Sequence, residues 1–108
     1  MPPLTPAVVH VLLSLTGGER HGYAILKDVQ QQSSDVTVGP GTIYGTLQRL
    51  MESGWVEETD PPSASVDERR RYYRLTRDGR QALRVEIDRL DALVRVARGR
   101  IVPRGSRG

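Results

Sequence analysis

The sequence predicts a mainly α domain with a small β-sheet (α+β), followed by one long helix. Three features of the 108-residue chain predict this arrangement. Residues 40–54 begin with proline and end with glycine around an apolar stripe, which is typical of a short helix. Residues 69–75 alternate in the manner of a β-strand. From Leu83 onward, apolar residues recur at spacings of four and three, which predicts a long helix with a partner helix.

Composition restricts the class of protein. A chain of 108 residues has room for one domain with a modest core. Aromatic residues make up only 5% of it and phenylalanine is absent, so we expect some apolar surface to be buried against a second subunit. Without cysteine there is no disulfide framework and no thiolate metal site, which fits the cytoplasm. We expect neither a membrane span nor a signal peptide, because the sequence lacks the apolar runs that these require.

The net charge of +3 is unevenly distributed. Residues 1–68 carry three basic and nine acidic side chains, a net charge of −6. Residues 69–108 carry thirteen arginines and four acidic side chains, a net charge of +9. Base composition of a genome accounts for arginine in place of lysine, but not for its concentration at one end. A local positive field of this kind suits a polyanionic partner.

The first helix is predicted by its start signals. Residues 4–6 supply a hydrophobic residue, a hydroxyl N-cap and a proline at the first helical position. The run 7–15 is apolar on nearly all sides, so we expect it to be buried on more than one side, and Gly17–Gly18 ends it. His10 lies within this run. We interpret it as a core or interface histidine, because no second metal ligand is evident nearby.

A second helix is predicted to begin near residues 20–22 and to continue through Gln30 or Gln31, with its apolar residues at helical spacing. Residues 36–38 are β-branched and alternating, which predicts a very short strand. The third helix then opens at Gly39–Pro40. Its predicted buried stripe consists of Ile43, Leu47, Leu50 and Met51.

The opposite face of the third helix is small and polar, so a second backbone could approach it closely. Gly54 stands where a left-handed cap is required. Residues 55–59 and 69–75 are predicted to form a hairpin around a loop at 60–65. Alternation places Tyr73 inward and Tyr72 outward.

The last helix is predicted from an N-cap at Thr76 to about Arg98. At 1.5 Å per residue it is about 33 Å long, too long to be covered by so small a domain. Dimerisation therefore explains its heptad stripe better than packing on its own core alone, which stays the alternative. The predicted interface residues are Leu83, Ile87, Leu90, Val94 and Ala97.

The order of these elements is that of a winged helix-turn-helix with a two- to three-stranded wing and a long C-terminal dimerisation helix. The corresponding boundaries are 1–76 for the DNA-binding domain, 77–99 for the dimerisation helix and 100–108 for a tail. Residues 102–106 match the core of a common engineered protease-cleavage site. The tail is either such a scar or a native, basic, disordered end.

At these residues the chain resembles the PadR family of transcriptional regulators, and specifically its smaller members with one C-terminal helix. The matching segments are His21–Tyr23, Pro40–Tyr44 with Leu47 and Arg49–Leu50, Gly54, Arg70–Thr76 and Gly79–Arg80. Each segment alone is a weak signal, whereas their occurrence in the right order is strong.

The resemblance implies a homodimer that binds double-stranded DNA at a partly palindromic operator, usually represses, and is often released by a small molecule. Gly45 replaces the proline that is usual in the family, and Gly39 replaces a common capping serine. Each change should loosen the third helix by about 1 kcal/mol or less. Some small members bind flat aromatic drugs between tryptophans of their C-terminal helices. This mode is not supported here, because Trp55 stands alone at the start of the wing.

The predicted DNA contacts come from the third helix and the wing. Arg49 is suited to guanine or phosphate and Gln48 to adenine, whereas the hydroxyls of Thr42 and Tyr44 suit phosphate. The alternative, for these residues and for those of the wing, is an ordinary solvent-exposed surface that binds nothing. The wing residues predicted to bind DNA are Arg69, Arg70, Arg71 and Tyr72.

Two other functions compete with DNA binding. His21 with Asp28 or Glu19 could form a base and its orienting group, but no nucleophile motif, metal-ligand spacing or phosphate loop accompanies them. We therefore predict no enzyme and no cofactor. A winged helix that binds other proteins, without sequence-specific DNA binding, is the closer alternative, because −6 over residues 1–68 is unusual for a DNA reader. A small-molecule effector would occupy the gap between the two long helices of a dimer, lined by His10 and the heptad stripe.

Overall fold

The computed structural model describes residues 4–33, 38–61 and 71–102. Within these ranges it contains four helices and a three-stranded sheet, which confirms the predicted fold class. In chain order the elements are α1 (Pro6–Ser14), β1 (Arg20–His21), α2 (Gly22–Gln32), α3 (Pro40–Glu52), β2 (Val56–Thr59), β3 (Tyr72–Leu75) and α4 (Arg77–Ile101).

Helix α1 begins as its start signals predict. The Thr5 Oγ1 accepts a hydrogen bond from the Val8 N–H at 3.2 Å, and Pro6 occupies the first helical position. Val11 and Leu12 are fully buried, and they belong to the one core that α1 shares with the other helices.

Helix α2 begins at Gly22, within the predicted start at residues 20–22, whereas Arg20 and His21 form strand β1, which was not predicted. His21 is the N-cap of α2, and its Nδ1 accepts a hydrogen bond from the Ala24 N–H at 3.2 Å. A side chain that caps the helix in this way holds the preceding backbone extended, so β1 ends where α2 begins.

His10 is partly buried and joins α1 to α2. Its Nδ1 lies 2.6 Å from the Gln32 Oε1, while the Gln32 Nε2 donates to the His10 carbonyl oxygen at 3.2 Å and to Asp28 Oδ2 at 3.0 Å. Since Oε1 can only accept, Nδ1 carries the proton. Two hydrogen bonds between His10 and Gln32 therefore join α1 to α2 at the surface of the protein.

Helix α3 buries three residues of the predicted stripe, and Met51, the fourth, is partly buried. Ile43, Leu47 and Leu50 are at most 3% exposed, and Thr46, which the prediction left out, is also buried. Gly39 is the N-cap and provides no side-chain cap, as its identity requires. The predicted strand at 36–38 lies outside the described residues except for Val38, which is buried without belonging to a strand.

The end of α3 confirms the left-handed cap. Gly54 has a φ of 77°, a conformation that favours glycine. Its N–H donates to the Met51 carbonyl and the Trp55 N–H donates to the Leu50 carbonyl, each at 3.0 Å. This pair of bonds is the Schellman motif, which satisfies the last carbonyls of the helix and turns the chain into β2.

The sheet has the antiparallel order β1-β3-β2. One row across it joins Arg20, Tyr73 and Glu58, and the next joins His21, Tyr72 and Thr59. Tyr73 is 3% exposed and belongs to the core, as predicted.

The outward exposure predicted for Tyr72 is wrong. Tyr72 lies on the opposite face from Tyr73, yet it is only 7% exposed. The ring of His21 meets it edge-on, with 5.5 Å between the ring centroids. The prediction failed because β1, which supplies His21, was not foreseen.

Helix α4 is anchored at its first turn. The Thr76 Oγ1 donates to the Gly54 carbonyl at 2.7 Å and accepts from the Gly79 N–H at 3.0 Å. A Cβ on Gly79 would lie 2.0 Å from the Trp55 carbonyl oxygen. Glycine therefore lets α4 pack directly on the backbone between α3 and β2.

Two further predictions about α4 are corrected. Leu83, a predicted interface residue, is 5% exposed and lies in the core of its own chain. Arg100 and Ile101, placed in the tail, are helical. The helix stops at Val102, which has an extended ψ of 121° because a proline follows it. Residues 103–108 lie outside the described residues.

Candidate nucleic-acid interface

The outward face of α3 is an exposed polar surface. Thr42, Tyr44, Gln48 and Arg49, the four predicted contacts of this helix, are all exposed. At Gly41 and Gly45, a Cβ would meet nothing within 4 Å, so the surface between these side chains is open. Glu52 is also exposed and adds a negative charge near the C-terminal end of the helix. The exposed surface from residue 41 to residue 49 therefore carries no negative charge, and Glu52 lies beyond it.

Tyr44 is held in place by the first residue of α2. A Cβ on Gly22 would lie 2.5 Å from the Tyr44 Oη, 2.6 Å from Cε1 and 2.7 Å from Cζ. The Tyr44 ring therefore rests where any side chain at position 22 would project. Half of Tyr44 stays exposed, at 51%, so this contact orients the residue without removing it from the surface.

The pKa of Tyr73 responds to Tyr44 of α3 and to two charged side chains of the wing. Burial raises the pKa of Tyr73, and the Glu58 carboxylate and the Tyr44 phenol raise it further, whereas Arg71 lowers it. Tyr44 of α3 and Glu58 and Arg71 of the wing therefore all influence the same phenol electrostatically. With a raised pKa, the Tyr73 phenol keeps its proton at neutral pH.

The described wing arginines are paired with carboxylates of β2. The Arg71 Nη1 lies 3.1 Å from the Glu58 Oε1, with side chains 73% and 44% exposed. Arg74 pairs with Glu57, its direct cross-strand neighbour. Arg69 and Arg70, the other predicted wing contacts, lie outside the described residues.

Comparison with known proteins decides what this arrangement is. The model of the transcriptional regulator PadR-like family matches residues 11–85. The chain belongs to this family. Its members are transcriptional regulators that bind DNA, and the PadR-like chain is not an enzyme. A search of the curated proteins returns no match.

Solved structures with the same fold include regulators from several bacteria. A PadR family transcription regulator from Clostridium difficile R20291 superposes with a TM-score of 0.78 at 23% identity, covering 88% of this chain and 97% of its own. A Streptococcus transcriptional regulator gives 0.72 at 28% identity, covering 85% and 88%. BpsR of Bordetella bronchiseptica, solved to explain regulation of its DNA binding by 6-hydroxynicotinic acid, gives 0.71 at 22% identity, covering 93% and 65%.

The PadR-like chain brings some of the predicted contact residues together and not others. The four α3 residues are all exposed on that helix, and Arg71 is an exposed residue of the wing that pairs with Glu58. Tyr72 is buried away from this surface. Sequence reasoning missed Gly22 and Glu58. The signals for them were the glycine inside His21–Tyr23 and the acidic pair of β2 opposite a basic strand.

The exposed apolar side chains of the distal part of α4 include residues outside the predicted heptad stripe. Ile87 and Val94 are 40% and 44% exposed, and Leu90 and Ala97 are partly exposed. These are the four predicted interface residues that remain after Leu83. Other exposed apolar side chains of the helix are Val85, Leu93, Val96 and Ile101.

The described residues offer no sign of a metal site or a membrane segment. Within 4–33, 38–61 and 71–102, no three histidine, aspartate or glutamate side chains are grouped so as to hold a metal ion. Across the same residues, none of the helices is both long and apolar enough to cross a bilayer.

Proposed function

We propose that this PadR-like chain is a cytoplasmic, homodimeric repressor of a neighbouring operon that dissociates from its operator when a small molecule binds. The observation that carries the proposal is the continuous exposed face of α3, with open space at Gly41 and Gly45. In a helix-turn-helix, the second helix of the motif enters the major groove with its N-terminal part. The open face of α3 begins in that part, at Gly41, and extends to Arg49.

The α3 side chains divide between bases and phosphates. Arg49 has the bidentate geometry for guanine and Gln48 that for adenine. Thr42 and the Tyr44 hydroxyl suit phosphate, and Tyr44 is already oriented by Gly22. Arg71 of the wing would hold the backbone of the adjoining groove. Arg69 and Arg70 are proposed to assist it.

Dimerisation is proposed because α4 exposes apolar side chains over its distal half. Ile87 and Val94 are each about two-fifths exposed. Neighbouring exposed apolar side chains of this kind are typical of a surface that is buried by a partner. Two copies joined through α4 would present two α3 helices to successive turns of one duplex. The operator is therefore proposed to be partly palindromic.

An effector site between the paired α4 helices completes the proposal. BpsR, which shares the fold, is regulated by 6-hydroxynicotinic acid. The cavity of a dimer would be lined by the α4 stripe and by His10.

The proposal is tested by a mobility-shift titration with the DNA upstream of the chain's own gene. We expect a specific complex, and we expect Arg49→Ala to weaken it by about 1–3 kcal/mol. Arg95→Ala is the matched control, because it removes one positive charge from α4, where Arg95 pairs with Asp91. If the wild-type chain shifts no duplex at low salt, the proposed DNA-binding function is wrong.

A further inference from the structure

The two carboxylates of the wing lie on opposite faces of the sheet. Glu58 is in register with Tyr73 and Arg20, and Glu57 is in register with Arg74. Because successive side chains of a strand alternate, Glu58 shares the face of Tyr73, whereas Glu57 lies on the other face. The same hairpin therefore contains two arginine–glutamate pairs of similar chemistry in different places.

The face of Glu58 is the one that adjoins α3. Tyr73 is buried in the core from this side. The pKa of its phenol is raised by burial, by Glu58 and by Tyr44, and lowered by Arg71. Tyr44 lies on the outward side of α3, where DNA is proposed to bind. Glu58 thus holds a negative charge beside Arg71, which is proposed to contact phosphate, with 3.1 Å between the Glu58 Oε1 and the Arg71 Nη1.

The Arg71–Glu58 pair is well formed but open to exchange. The nitrogen and oxygen are 3.1 Å apart, yet the two side chains are 73% and 44% exposed. An ion pair this exposed contributes little stability, so its arginine can change partner readily. A DNA phosphate offers Arg71 the same interaction with an anion of higher local charge density.

We propose that Glu58 is an intramolecular competitor of DNA phosphate for Arg71, and that it sets the strength of backbone binding by the wing. This inference rests on the proposed DNA-binding function. When Arg71 turns to a phosphate, its ion pair with Glu58 is lost, and the loss of that pair opposes the complex. The effect does not depend on base sequence, because phosphate contacts carry none. Glu58 therefore limits binding to operator and other DNA alike.

The competition has a characteristic salt dependence. Each phosphate neutralised by a protein cation releases counterions, which makes affinity fall with salt. In the wild type, the Glu58 carboxylate takes up a cation when Arg71 leaves it, which offsets part of that release. Removing the carboxylate should restore the full release for each wing.

The test compares Glu58→Gln with Glu57→Gln in the full chain. Fluorescence anisotropy is measured on the upstream duplex and on a scrambled duplex over a range of salt. We expect Glu58→Gln to tighten both complexes by about two- to fivefold per wing at low salt. The slope of log affinity against log salt should steepen by up to about one per wing. Glu57→Gln, which frees Arg74 on the other face, should leave affinity within about twofold of the wild type.

A double-mutant cycle separates competition for Arg71 from simple repulsion of DNA. In an Arg71→Ala background, Glu58→Gln should gain little affinity, because the group it competes for is gone. A gain that persists in this background overturns the competition, and so does an equal gain from Glu57→Gln. Equal affinity of Glu58→Gln and wild type also overturns it while leaving the proposed function intact. If neither protein binds any duplex, the proposed function itself fails.

Discussion

Gly22 and Gly79 each stand where a Cβ would overlap a neighbouring group, and that group differs between the two positions. At Gly79 the obstacle is the Trp55 carbonyl oxygen, 2.0 Å from the position that a Cβ would take, so backbone would have to move. At Gly22 the obstacle is the outer end of the Tyr44 ring, at 2.5–2.7 Å. A ring edge can swing away, whereas a packed backbone cannot. Gly22 therefore controls the orientation of one proposed DNA contact more than it controls the fold.

The support of Tyr44 by Gly22 predicts a change of sign between two backgrounds. With Tyr44 present, Gly22→Ala should destabilise the chain by about 1–3 kcal/mol, because the added methyl overlaps the ring. With Tyr44→Ala, the overlap is gone, and the same substitution should be neutral or stabilise by up to about 1 kcal/mol through helix propensity.

Thermal unfolding of the four proteins in this cycle measures both effects, since about 1 kcal/mol shifts the Tm of a domain this size by about 4–8 °C. Duplex affinity should fall in Gly22→Ala to the level of Tyr44→Ala. An identical stability change from Gly22→Ala in both backgrounds would show that Tyr44 does not rest on Gly22.

The helices were predictable and parts of the sheet were not, for a physical reason. Caps and stops are local, so Thr5, Pro40, Gly54 and Thr76 indicate helix ends without knowledge of the fold. Strand β1 has two residues, too few for alternation to appear, and it exists through its pairing with β3. The burial of Tyr72 follows from that pairing.

The candidate site was predictable to a similar extent. The exposed face of α3 follows from helical periodicity, and its four predicted contacts are exposed. The pairing of Arg71 with Glu58 depends on the register of β2 against β3. Register is a property of the folded hairpin and cannot be read from the charges of the two strands alone.

Helix α4 carries an ion pair that should make stability depend on pH. Both oxygens of Glu86 accept from Arg89, at 2.9 and 2.6 Å. The hydrogen bonds from Arg89 hold the pKa of Glu86 below its ordinary value near 4.5. A carboxyl with a lowered pKa in the folded state stabilises the fold above its unfolded pKa. That contribution is lost as pH falls below about 4.5 and through the folded pKa.

Glu86→Gln should therefore flatten the loss of stability below about pH 4.5, measured as Tm against pH. Asp91→Asn is the control, because it removes the same charge from the exposed pair that Asp91 forms with Arg95. A steep acid limb in Glu86→Gln that matches the wild type would assign the acid sensitivity to other carboxyl groups.

The chain as a unit is elongated, and α4 is the cause. Its principal extents are 64, 26 and 22 Å, while 25 helical residues span about 37 Å. The first turns of α4 are buried through Gly79, Ala82, Leu83 and Glu86. Beyond Glu86 the apolar residues of the helix are exposed, apart from Leu90 and Ala97, which are partly buried. The helix therefore belongs to the core at one end, and its other end carries the exposed apolar side chains through which dimerisation is proposed.

This division predicts which α4 substitutions separate a dimer. A paired Ile87→Glu and Val94→Glu change puts two charges on the exposed heptad stripe, where burial against a second copy would leave them without solvent. We expect this variant to sediment as a monomer at micromolar concentration, to keep its helical content, and to lose most of its affinity for a palindromic duplex. Val85→Glu is the matched control, since Val85 is 58% exposed but lies off that stripe. If the double variant still sediments as a dimer, the stripe is not the interface, and two α3 helices must be brought to DNA by another surface.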